Sequence, residues 1–367
     1  MKAHARMPSN SNCASFRNRS SEGNMCYSCE IHRRRFLSAG AAAAAASLAG
    51  FSSRAQAPDP ALPKHRIDVH HHFIPEFHLE AISATRIGSF PSWSVQKSLE
   101  DMDRTGTATA IVSAIQPGVW VGDVQKSRRL AREWNEYATK IAREHTGRFG
   151  VWAALPLPDA EGSLREIEYA LDTLKADGIG LMTSIAGKYL GDPAFEPVYA
   201  ELNRRKAVVY THPLTPDCCR NLVPGTPPGT IEYATDTTRT VASILFSGTA
   251  AKFPEVRFIF SHSGGTLPFL AGRFERQAAT QKYSFLANGV MPELKKFYYD
   301  VAQGNTGAQL AALTRLAPIS QILFGTDYPF RPGSEAVHGL RDFGFGAVDL
   351  AAIERDNALA LLRRIKT

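Results

Sequence analysis

Cysteine is scarce in this chain, and the few cysteines present do not form a disulfide framework. Only 5 of the 367 residues are cysteine, and Cys13, Cys26 and Cys29 fall near the amino terminus. Cys26 and Cys29 have the spacing of a redox or zinc knuckle, but no second pair follows at a suitable distance. Adjacent Cys218 and Cys219 could join in a strained vicinal disulfide, although two free thiols are the favoured interpretation.

An excess of charge of one sign is also lacking once the first part of the chain is set aside. The formal net charge is +7, but residues 1–57 contain eight Lys/Arg and two Asp/Glu, a net of +6. Residues 58–367 are therefore nearly neutral. Binding to nucleic acid or to an anionic membrane is not indicated, because the excess charge lies in the leader.

No apolar run is long enough to span a membrane, and the longest has the features of an export signal. The run Arg33–Leu37 (RRRFL) precedes about 15 apolar residues, where a spanning helix needs roughly 20. Ala55–Ala57 supplies a small-x-small cleavage site. We therefore expect a disordered or helical twin-arginine leader (residues 1–57) and a periplasmic or secreted mature domain (58–367) with no stable membrane partner. An uncleaved membrane anchor is the alternative.

A glycine-rich dinucleotide-binding fingerprint is absent after the first strand-like run, which disfavours an open doubly wound sheet. From Arg66 onward, short apolar runs instead alternate with amphipathic helical patterns, which favours an α/β fold of the (β/α)8 TIM-barrel type. The predicted strands are 66–72, 108–114, 149–155, 178–184, 207–212, 256–262, 297–301 and 321–326. The predicted helices are 94–105, 124–146, 160–176, 194–206, 231–252, 266–281, 306–316 and 349–365.

Four of these strands end in side chains that commonly bind metals. His70 and His72 end the first strand, His212 the fifth and His262 the sixth, and Asp327 follows the eighth. In a (β/α)8 barrel the catalytic groups project from the carboxyl ends of the strands, so we expect these residues on one rim. Each histidine alone would more often be structural. Their joint placement predicts a catalytic metal site.

Three imidazoles and one carboxylate suit a single divalent ion. His70 and His72 are two residues apart on an extended segment and point to one side, whereas His71 points away and is expected to be a hydrogen-bonded structural histidine. Such a set suits Zn²⁺, with Mn²⁺ or Fe²⁺ as alternatives. The predicted ligands are His70, His72, His212 and Asp327.

His262 could be a further ligand, but an imidazole beside a metal-bound water is more useful as a base. The glycines of Ser261–Gly265 (SHSGG) let the backbone approach the site closely. A two-metal centre would need a bridging carboxylate or a modified lysine. The fourth strand ends without lysine and Lys188 follows in a loop, which favours one ion.

With these features the chain resembles the amidohydrolase-related family that contains metal-dependent, non-oxidative decarboxylases of aminocarboxymuconate semialdehyde, γ-resorcylate and 6-methylsalicylate. The resemblance runs from about Arg66 to the carboxyl terminus. Its most specific segments are Asp68–Phe73 (DVHHHF), Ser261–Gly265 with Pro268–Phe269 and Gly272–Arg273, and Gly325–Phe330 (GTDYPF). The stretches PSWS at 91–94, LGDP at 190–193 and LNRRK at 202–206 are most similar to the 6-methylsalicylate branch.

The resemblance implies one divalent ion on the four ligands named above and an acid/base role for His262. It also implies that Arg273 reaches the site of a neighbouring subunit, where it holds a substrate carboxylate, and hence a homodimer. Some members carry a second arginine in the loop after strand one. Arg86 is the only candidate within 73–93 and is not a convincing counterpart, which favours a small aromatic monoacid over a dicarboxylate.

We therefore expect decarboxylation of a small hydroxylated aromatic acid whose carboxylate and ortho-hydroxyl oxygens bind the ion. The proton for the ring carbon would come from Asp327, or from a water through His262. Trp93, Trp120 and Phe330 lie in rim loops and could form flat walls for the ring, although packing roles compete. Hydrolysis of a lactone or amide is the main alternative. A periplasmic binding protein without turnover is disfavoured because the ligand set is complete.

Overall fold

The computed structural model describes residues 64–84, 90–362 and 364–365. The predicted leader, its boundary at residue 58 and Arg86 lie outside the described residues. All eight predicted strands are present. They are β1 (Arg66–Phe73), β2 (Thr107–Ala114), β3 (Phe149–Ala154), β4 (Gly178–Met182), β5 (Val208–His212), β6 (Arg257–Phe260), β7 (Tyr298–Asp300) and β8 (Ile322–Leu323).

The eight strands are parallel and pair in chain order from β1 to β8. The last strand and the segment after it then bond to the first. Val69 N–H donates to the Phe324 carbonyl at 3.0 Å, and His72 N–H donates to the Tyr328 carbonyl at 2.8 Å. These bonds close the sheet, and the prediction of a (β/α)8 barrel is confirmed.

Helices follow the strands along the described chain. They are α1 (Glu76–Ala81), α2 (Val95–Thr105), α3 (Val124–Glu144), α4 (Ala160–Glu168), α5 (Glu196–Arg205), α6 (Glu232–Phe246), α7 (Thr249–Lys252), α8 (Leu267–Gln281), α9 (Val290–Leu294), α10 (Gly307–Leu316), α11 (Ser334–Phe343), α12 (Ala347–Ala351) and α13 (Asn357–Leu361). The π-helical turns are Tyr169–Leu174 and Ala352–Asp356. The 3-10 turns are Pro193–Phe195, Asp217–Cys219, Pro228–Thr230, His262–Gly264, Ser284–Leu286 and Ile319–Gln321. Ser184–Ile185 and Lys188–Tyr189 form a small antiparallel hairpin after β4.

Capping residues set several helix boundaries. The Ser94 side chain accepts the Lys97 N–H before α2, and the Asp123 side chain accepts the Lys126 N–H before α3, which satisfies amides that have no partner inside the helix. Gly248 has φ of 80° and separates α6 from α7. The prediction of one helix over 231–252 was therefore wrong, because a left-handed glycine ends α6.

Buried apolar side chains form two clusters. The larger includes Leu130 and Trp134 of α3 together with Val151 of β3. The smaller includes Trp152 and Tyr210, whose rings stack with centroids 5.7 Å apart. These clusters hold the strands rigidly, so that side chains at the strand ends have defined positions. Within the described part of the chain, no helix combines the length and apolar character needed to cross a bilayer.

Candidate metal centre

Four side chains meet at the carboxyl-terminal rim of the barrel. His70 and His72 come from β1, His212 is the last residue of β5, and Asp327 follows β8. All four are buried, and one ligand atom from each lies within 4.8 Å of the others. The structure thus brings together the four residues that the sequence predicted as ligands.

The distances between donor atoms suit a small divalent ion. Nε2 of His70 lies 3.2 Å from Nε2 of His72. Oδ1 of Asp327 lies 3.1 Å from Nε2 of His70 and 3.0 Å from Nε2 of His72. Four ligands at about 2.0–2.1 Å around a tetrahedral ion are separated by about 3.3 Å. The donor set and its spacing therefore fit a metal.

Hydrogen bonds on the far side of each imidazole direct Nε2 toward the centre. His70 Nδ1 donates to Oδ2 of Asp300 at 3.0 Å, and His212 Nδ1 donates to the Pro213 carbonyl at 2.8 Å. His72 Nδ1 lies 3.0 Å from the Ser113 hydroxyl. A ring that holds its proton on Nδ1 directs the Nε2 lone pair at the centre, where the lone pairs of the three rings converge. Such an arrangement is favourable when the lone pairs share a cation.

The surrounding charges also favour a cation. Burial alone would lower the pKa of His70, but Asp300 and Asp327 outweigh it and raise this pKa to about 10. Burial likewise opposes the charge of Asp327, yet His70 and the neighbouring imidazoles hold its pKa well below the ordinary value. Burial lowers the pKa of His72 and that of His212. Asp300 and Asp327 thus stabilise a positive charge at His70, whereas the rings of His72 and His212 stay neutral.

Asp300 is a functional residue that sequence reasoning missed. It is the last residue of β7 and is fully buried. Besides holding His70 through Oδ2, it accepts the backbone N–H groups of His262 at 3.1 Å and Ala302 at 3.0 Å through Oδ1. One carboxylate therefore positions both a candidate metal ligand and the acid/base candidate. The sequence did offer one signal, because Asp300 is a polar residue near the carboxyl end of the predicted strand 297–301.

Asp68 links the segment of β1 that carries His70 to the segment after β8 that carries Asp327. Its Oδ1 accepts the N–H groups of His70 and Thr326 at 3.0 and 3.1 Å, and its Oδ2 accepts the Thr326 hydroxyl at 2.6 Å. His71 Nδ1 lies 3.2 Å from the same Oδ2, and His71 Nε2 lies 3.0 Å from the Ser98 hydroxyl. His71 therefore has the structural place expected for it. Lys188, the lysine considered for a two-metal centre, lies in the hairpin after β4 and pairs with Asp192 at 3.1 Å.

His262 stands next to the ligands in an unusual backbone conformation. Its φ is 55°, and Ser263, Gln303 and Asp327 are also left-handed, with φ of 57°, 48° and 63°. This region is unfavourable for residues other than glycine, and such strain clusters at functional sites. Nε2 of His262 lies 3.6 Å from Oδ2 of Asp327. Neither ring nitrogen makes a hydrogen bond with a described residue, so the ring is free to exchange a proton with a bound molecule.

The SHSGG turn requires its glycines. A Cβ atom on Gly265 would lie 1.9 Å from the Ala234 carbonyl oxygen, so no other residue fits there without moving α6. The sequence expectation that glycine permits close backbone approach thus has a concrete cause. The turn thus packs against α6 at Gly265 and carries His262 beside the centre.

An apolar cavity adjoins His212 on the side of β2 to β4. This inner cavity is lined by residues that include Ser113, Trp120, Leu155, Leu181, Met182 and His212. The space between these residues is about 420 Å³ when the part open to solvent is included. None of its described lining residues is Asp, Glu, Lys or Arg. A flat apolar ring is therefore a suitable occupant.

A second, outer cavity leads on from the inner one. Pro117, Trp120 and Ile185 line both cavities, and the outer cavity also includes Gln116 and Cys218. Cys218 and Cys219 are free thiols. Trp120 thus stands where the two cavities meet, and its role in contacting substrate stays a prediction.

Phe330 and Trp93 have different surroundings. The Phe330 ring lies 5.5 Å from the His72 ring, centroid to centroid, which places it at the metal centre. Trp93 instead packs against Phe73 with centroids 4.9 Å apart and donates Nε1–H to the Ser98 hydroxyl at 3.0 Å. These contacts favour a packing role for Trp93.

Tyr233 and Gln116 form a polar pair near His212 that sequence reasoning also missed. The Gln116 amide donates a short hydrogen bond to the Tyr233 hydroxyl, and the Tyr233 ring lies 6.3 Å from the His212 ring. Burial, with Asp327 nearby, raises the pKa of Tyr233 to about 12. The hydroxyl therefore keeps its proton and can donate it to a bound polar group.

Arg273 is not brought to this centre within one chain. It is exposed on α8 and forms no hydrogen bond or ion pair with any described residue. Phe269, one turn earlier on the same helix, is 72% exposed. The predicted role of Arg273 at a neighbouring subunit's site stays a prediction.

Comparison with known proteins places the fold and the centre in one family. The amidohydrolase family model matches residues 67–364. The chain is 38% identical over 330 residues to decarboxylase yanB of Aspergillus niger, covering 82% of this chain and 88% of that protein. It is 35% identical over 325 residues to the 6-methylsalicylic acid decarboxylase acuB of Aspergillus aculeatus, covering 82% and 97%.

A solved structure has the same fold at low sequence identity. The dihydroxybenzoic acid decarboxylase of Polaromonas sp. JS666, solved with bound manganese and the inhibitor 2-nitroresorcinol, superposes with a TM-score of 0.73 at 21% identity. The alignment covers 83% of this chain and 98% of that one. Since the family model spans the whole barrel and its rim residues, the chain belongs to the amidohydrolase family.

Proposed function

We propose that the protein is a metal-dependent, non-oxidative decarboxylase of a small hydroxylated aromatic acid resembling 6-methylsalicylate. The observation that carries this proposal is the buried centre of three histidines and Asp327 beside an apolar cavity free of charged side chains. The centre suits the acid group, and the cavity suits the ring. Relatives that are named decarboxylases support the choice of reaction.

His70, His72, His212 and Asp327 would hold one divalent ion, which we propose to be zinc, with manganese as the alternative. Neutral imidazoles and one carboxylate suit both metals. A bound ion would supply a Lewis acid for the acid group and the adjacent hydroxyl of the substrate. Metal analysis of purified protein, followed by reconstitution with each metal separately, decides between them.

The substrate ring would lie where the inner and outer cavities meet, with Trp120 and Phe330 as flat walls. Leu155, Leu181 and Met182 offer an apolar surface to the part of the ring away from the acid group, where a methyl substituent is better accommodated than a hydroxyl. Tyr233 can donate its hydroxyl proton to a polar substituent near His212. This division favours an alkyl-substituted hydroxybenzoate over a dicarboxylate.

The protein's part in the chemistry is to deliver one proton to the ring carbon that bears the carboxylate. Protonation of this carbon precedes breakage of the bond to the carboxyl carbon, whose electron pair returns to the ring as carbon dioxide leaves. His262 faces the centre with both ring nitrogens free of described partners, and Asp327 Oδ2 lies 3.6 Å from it. The two side chains can therefore exchange a proton at the rim and are proposed to act as one acid/base unit.

Replacement of His262 tests this proposal. In His262→Ala, release of carbon dioxide from 6-methylsalicylate should fall about 10²- to 10⁴-fold, the usual contribution of a general acid or base. Metal content should remain that of the wild type, because His262 is not among the four ligands. The matched control is His338→Ala, which removes an exposed histidine on α11. Full turnover by His262→Ala with its metal intact would overturn the assignment.

Headspace carbon dioxide measured against acid release separates decarboxylation from hydrolysis. The metal-loaded protein should release gas from 6-methylsalicylate and leave small lactones and amides intact. Acid release from a lactone without gas from any hydroxybenzoate would establish hydrolysis instead. Tight binding of hydroxybenzoates without any product would establish a binding protein.

We further propose that the leader directs export by the twin-arginine route and that the mature enzyme is a homodimer with Arg273 in the partner's site. The RRRFL run and the AQA site support export, and the exposure of Phe269 and Arg273 on α8 supports an interface there. Amino-terminal sequencing of the secreted protein tests the first proposal. Sedimentation of wild type and Phe269→Glu tests the second.

A further inference from the structure

Gln303 touches the metal centre but has no part in the reaction described above. Its side-chain amide donates a short hydrogen bond to Oδ2 of Asp327. Oδ1 of the same carboxylate faces Nε2 of His70 and of His72, at 3.1 and 3.0 Å. The two oxygens of Asp327 thus have different partners, because Oδ1 faces the ligands whereas Oδ2 faces Gln303 and His262.

The backbone around Gln303 is held in one conformation from several directions. Its φ of 48° is left-handed, a region that residues with a Cβ rarely adopt. The Gln309 amide donates to the Gln303 carbonyl at 3.2 Å, and Gly304 N–H donates to the Val301 carbonyl at 3.0 Å. A Cβ atom on Gly304 would lie 2.3 Å from Oγ of Ser263. The turn after β7 is therefore pressed against the turn that carries His262.

A carboxylate ligand needs such a partner because its own rotamer does not fix its plane. The terminal torsion of aspartate is broad, so Asp327 can rotate about its last bond and exchange its two oxygens. A donor on Oδ2 removes this freedom. An amide does so without changing the charge of the ligand set, whereas lysine or arginine in that place would compete with the metal for the carboxylate.

We propose that Gln303 is a positioning residue that fixes the plane of the Asp327 carboxylate, with Oδ1 toward the metal and Oδ2 toward His262. The left-handed backbone is the means by which the turn after β7 delivers the amide to Oδ2. The inference concerns the ligand set and rests on the proposed function only where turnover is measured.

The experiment compares Gln303→Met with wild type in two independent measurements. Methionine has nearly the same length but no donor. The dissociation constant for Mn²⁺, measured by titration of the metal-free protein, should rise about 10-fold or more, as is typical for partners that orient a metal ligand. With saturating Mn²⁺, kcat for 6-methylsalicylate should fall while KM changes about twofold or less, since Gln303 is not proposed to contact substrate.

Two further variants keep the result interpretable. Gln303→Gly favours the left-handed backbone, so a loss of Mn²⁺ affinity in this variant cannot be attributed to strain. Gln96→Met is the matched control, because Gln96 is an exposed glutamine on α2 whose amide donates to the Glu100 carboxylate at 3.0 Å, away from the ligands. This control should bind Mn²⁺ and turn over substrate like wild type.

The outcomes are distinct. Weaker Mn²⁺ binding in Gln303→Met and Gln303→Gly, with Gln96→Met unchanged, supports the proposal. Wild-type Mn²⁺ affinity in both Gln303 variants overturns it, and a rise in KM with unchanged affinity would make Gln303 a substrate contact instead. If the wild-type protein releases no carbon dioxide but the Gln303 variants still lose Mn²⁺ affinity, the proposed function fails while the positioning role stands.

Discussion

The two sides of the barrel mouth are built differently. On the side of β1 and β5 to β8 the strand ends carry histidines and aspartates, and His262, Ser263, Gln303 and Asp327, which surround the metal centre, all have left-handed backbone. On the side of β2 to β4 the same rim is apolar, with Leu155 and Leu181 in the lining of the inner cavity. The first side holds charged and polar side chains in place through hydrogen bonds. The second side presents an apolar surface against which a bound molecule can pack.

The difference determines which substitutions each side tolerates. The candidate ligands and the carboxylates around them are buried and have specific partners, so removing one of these groups leaves another unsatisfied. Apolar residues on the cavity side interact without direction, and the loss of one reduces contact area only. Metal affinity should therefore depend on the first side alone, whereas contact with the substrate ring depends mainly on the second.

Removal of the Asp300 charge should have the largest effect and act on metal affinity. In Asp300→Asn, the His70 ring loses the carboxylate that orients it, and Mn²⁺ affinity should fall about 10- to 100-fold. Asp300 also accepts the His262 N–H, so kcat should fall even at saturating metal. Titration of metal-free protein with Mn²⁺ measures the first effect, and carbon dioxide release measures the second.

Asp103→Asn is the control for this variant. Asp103 is partly exposed and pairs with Lys64 and Arg148, each at 2.8 Å. Its loss should leave Mn²⁺ binding unchanged, since surface ion pairs act locally and weakly. Equal Mn²⁺ affinity in Asp300→Asn and wild type would remove the distinction between the two sides of the mouth.

The barrel and the meeting of the four candidate ligands could be predicted from the sequence because strand ends are easy to recognise. His70, His72, His212 and Asp327 each follow a buried apolar run, and the fold brings such ends together. Asp300 was missed because its function lies in a bond to His70 across 230 residues of sequence. That pairing depends on which strand ends face each other, and local pattern does not contain this information.

Gln303 and Trp93 show two other limits. A left-handed turn at glutamine has no local signal, because glycine or asparagine is the usual mark of that conformation. Trp93 lies in a rim loop as predicted, but its ring packs against Phe73. Loop position was predictable from strand order, whereas side-chain direction depends on how the loop folds over the barrel.

Truncation of Trp120 should have a smaller effect, confined to substrate affinity. Trp120 lines both cavities, so Trp120→Ala should raise KM for 6-methylsalicylate about 10-fold, which corresponds to about 1.4 kcal/mol of lost contact. Mn²⁺ affinity should not change. Trp93→Phe is the matched comparison, and it should lower the melting temperature with little effect on KM. A loss of Mn²⁺ affinity in Trp120→Ala would show that the two sides are coupled.

The smallest effect on turnover is expected at His78, which affects stability instead. His78 is fully buried in α1, and its Nε2 donates to the Gly118 carbonyl at 2.8 Å. Gly118 lines the inner cavity, so this bond ties α1 to the apolar side of the mouth. Burial lowers the pKa of His78 to about 4, against an ordinary value of 6.5. The folded protein therefore keeps this ring neutral where the unfolded chain would protonate it.

The sign of the pH dependence follows from that difference. Below pH 6.5 the unfolded chain binds a proton that the folded protein does not, so the stability contributed by neutral His78 is lost as the pH falls toward 4. The loss is about 3 kcal/mol at most, since one pKa unit corresponds to about 1.4 kcal/mol.

His78→Gln retains an amide donor for the Gly118 carbonyl and does not titrate. Its free energy of unfolding, measured by denaturant titration at pH 7.5, 6 and 5, should decline less steeply than that of wild type, with turnover at pH 7.5 unchanged. The acid sensitivity of His72 and His212 remains in both proteins, so the slope should decrease without vanishing. Identical slopes would mean that His78 is hydrated or charged in the folded protein, and that α1 is held to the cavity wall by other contacts.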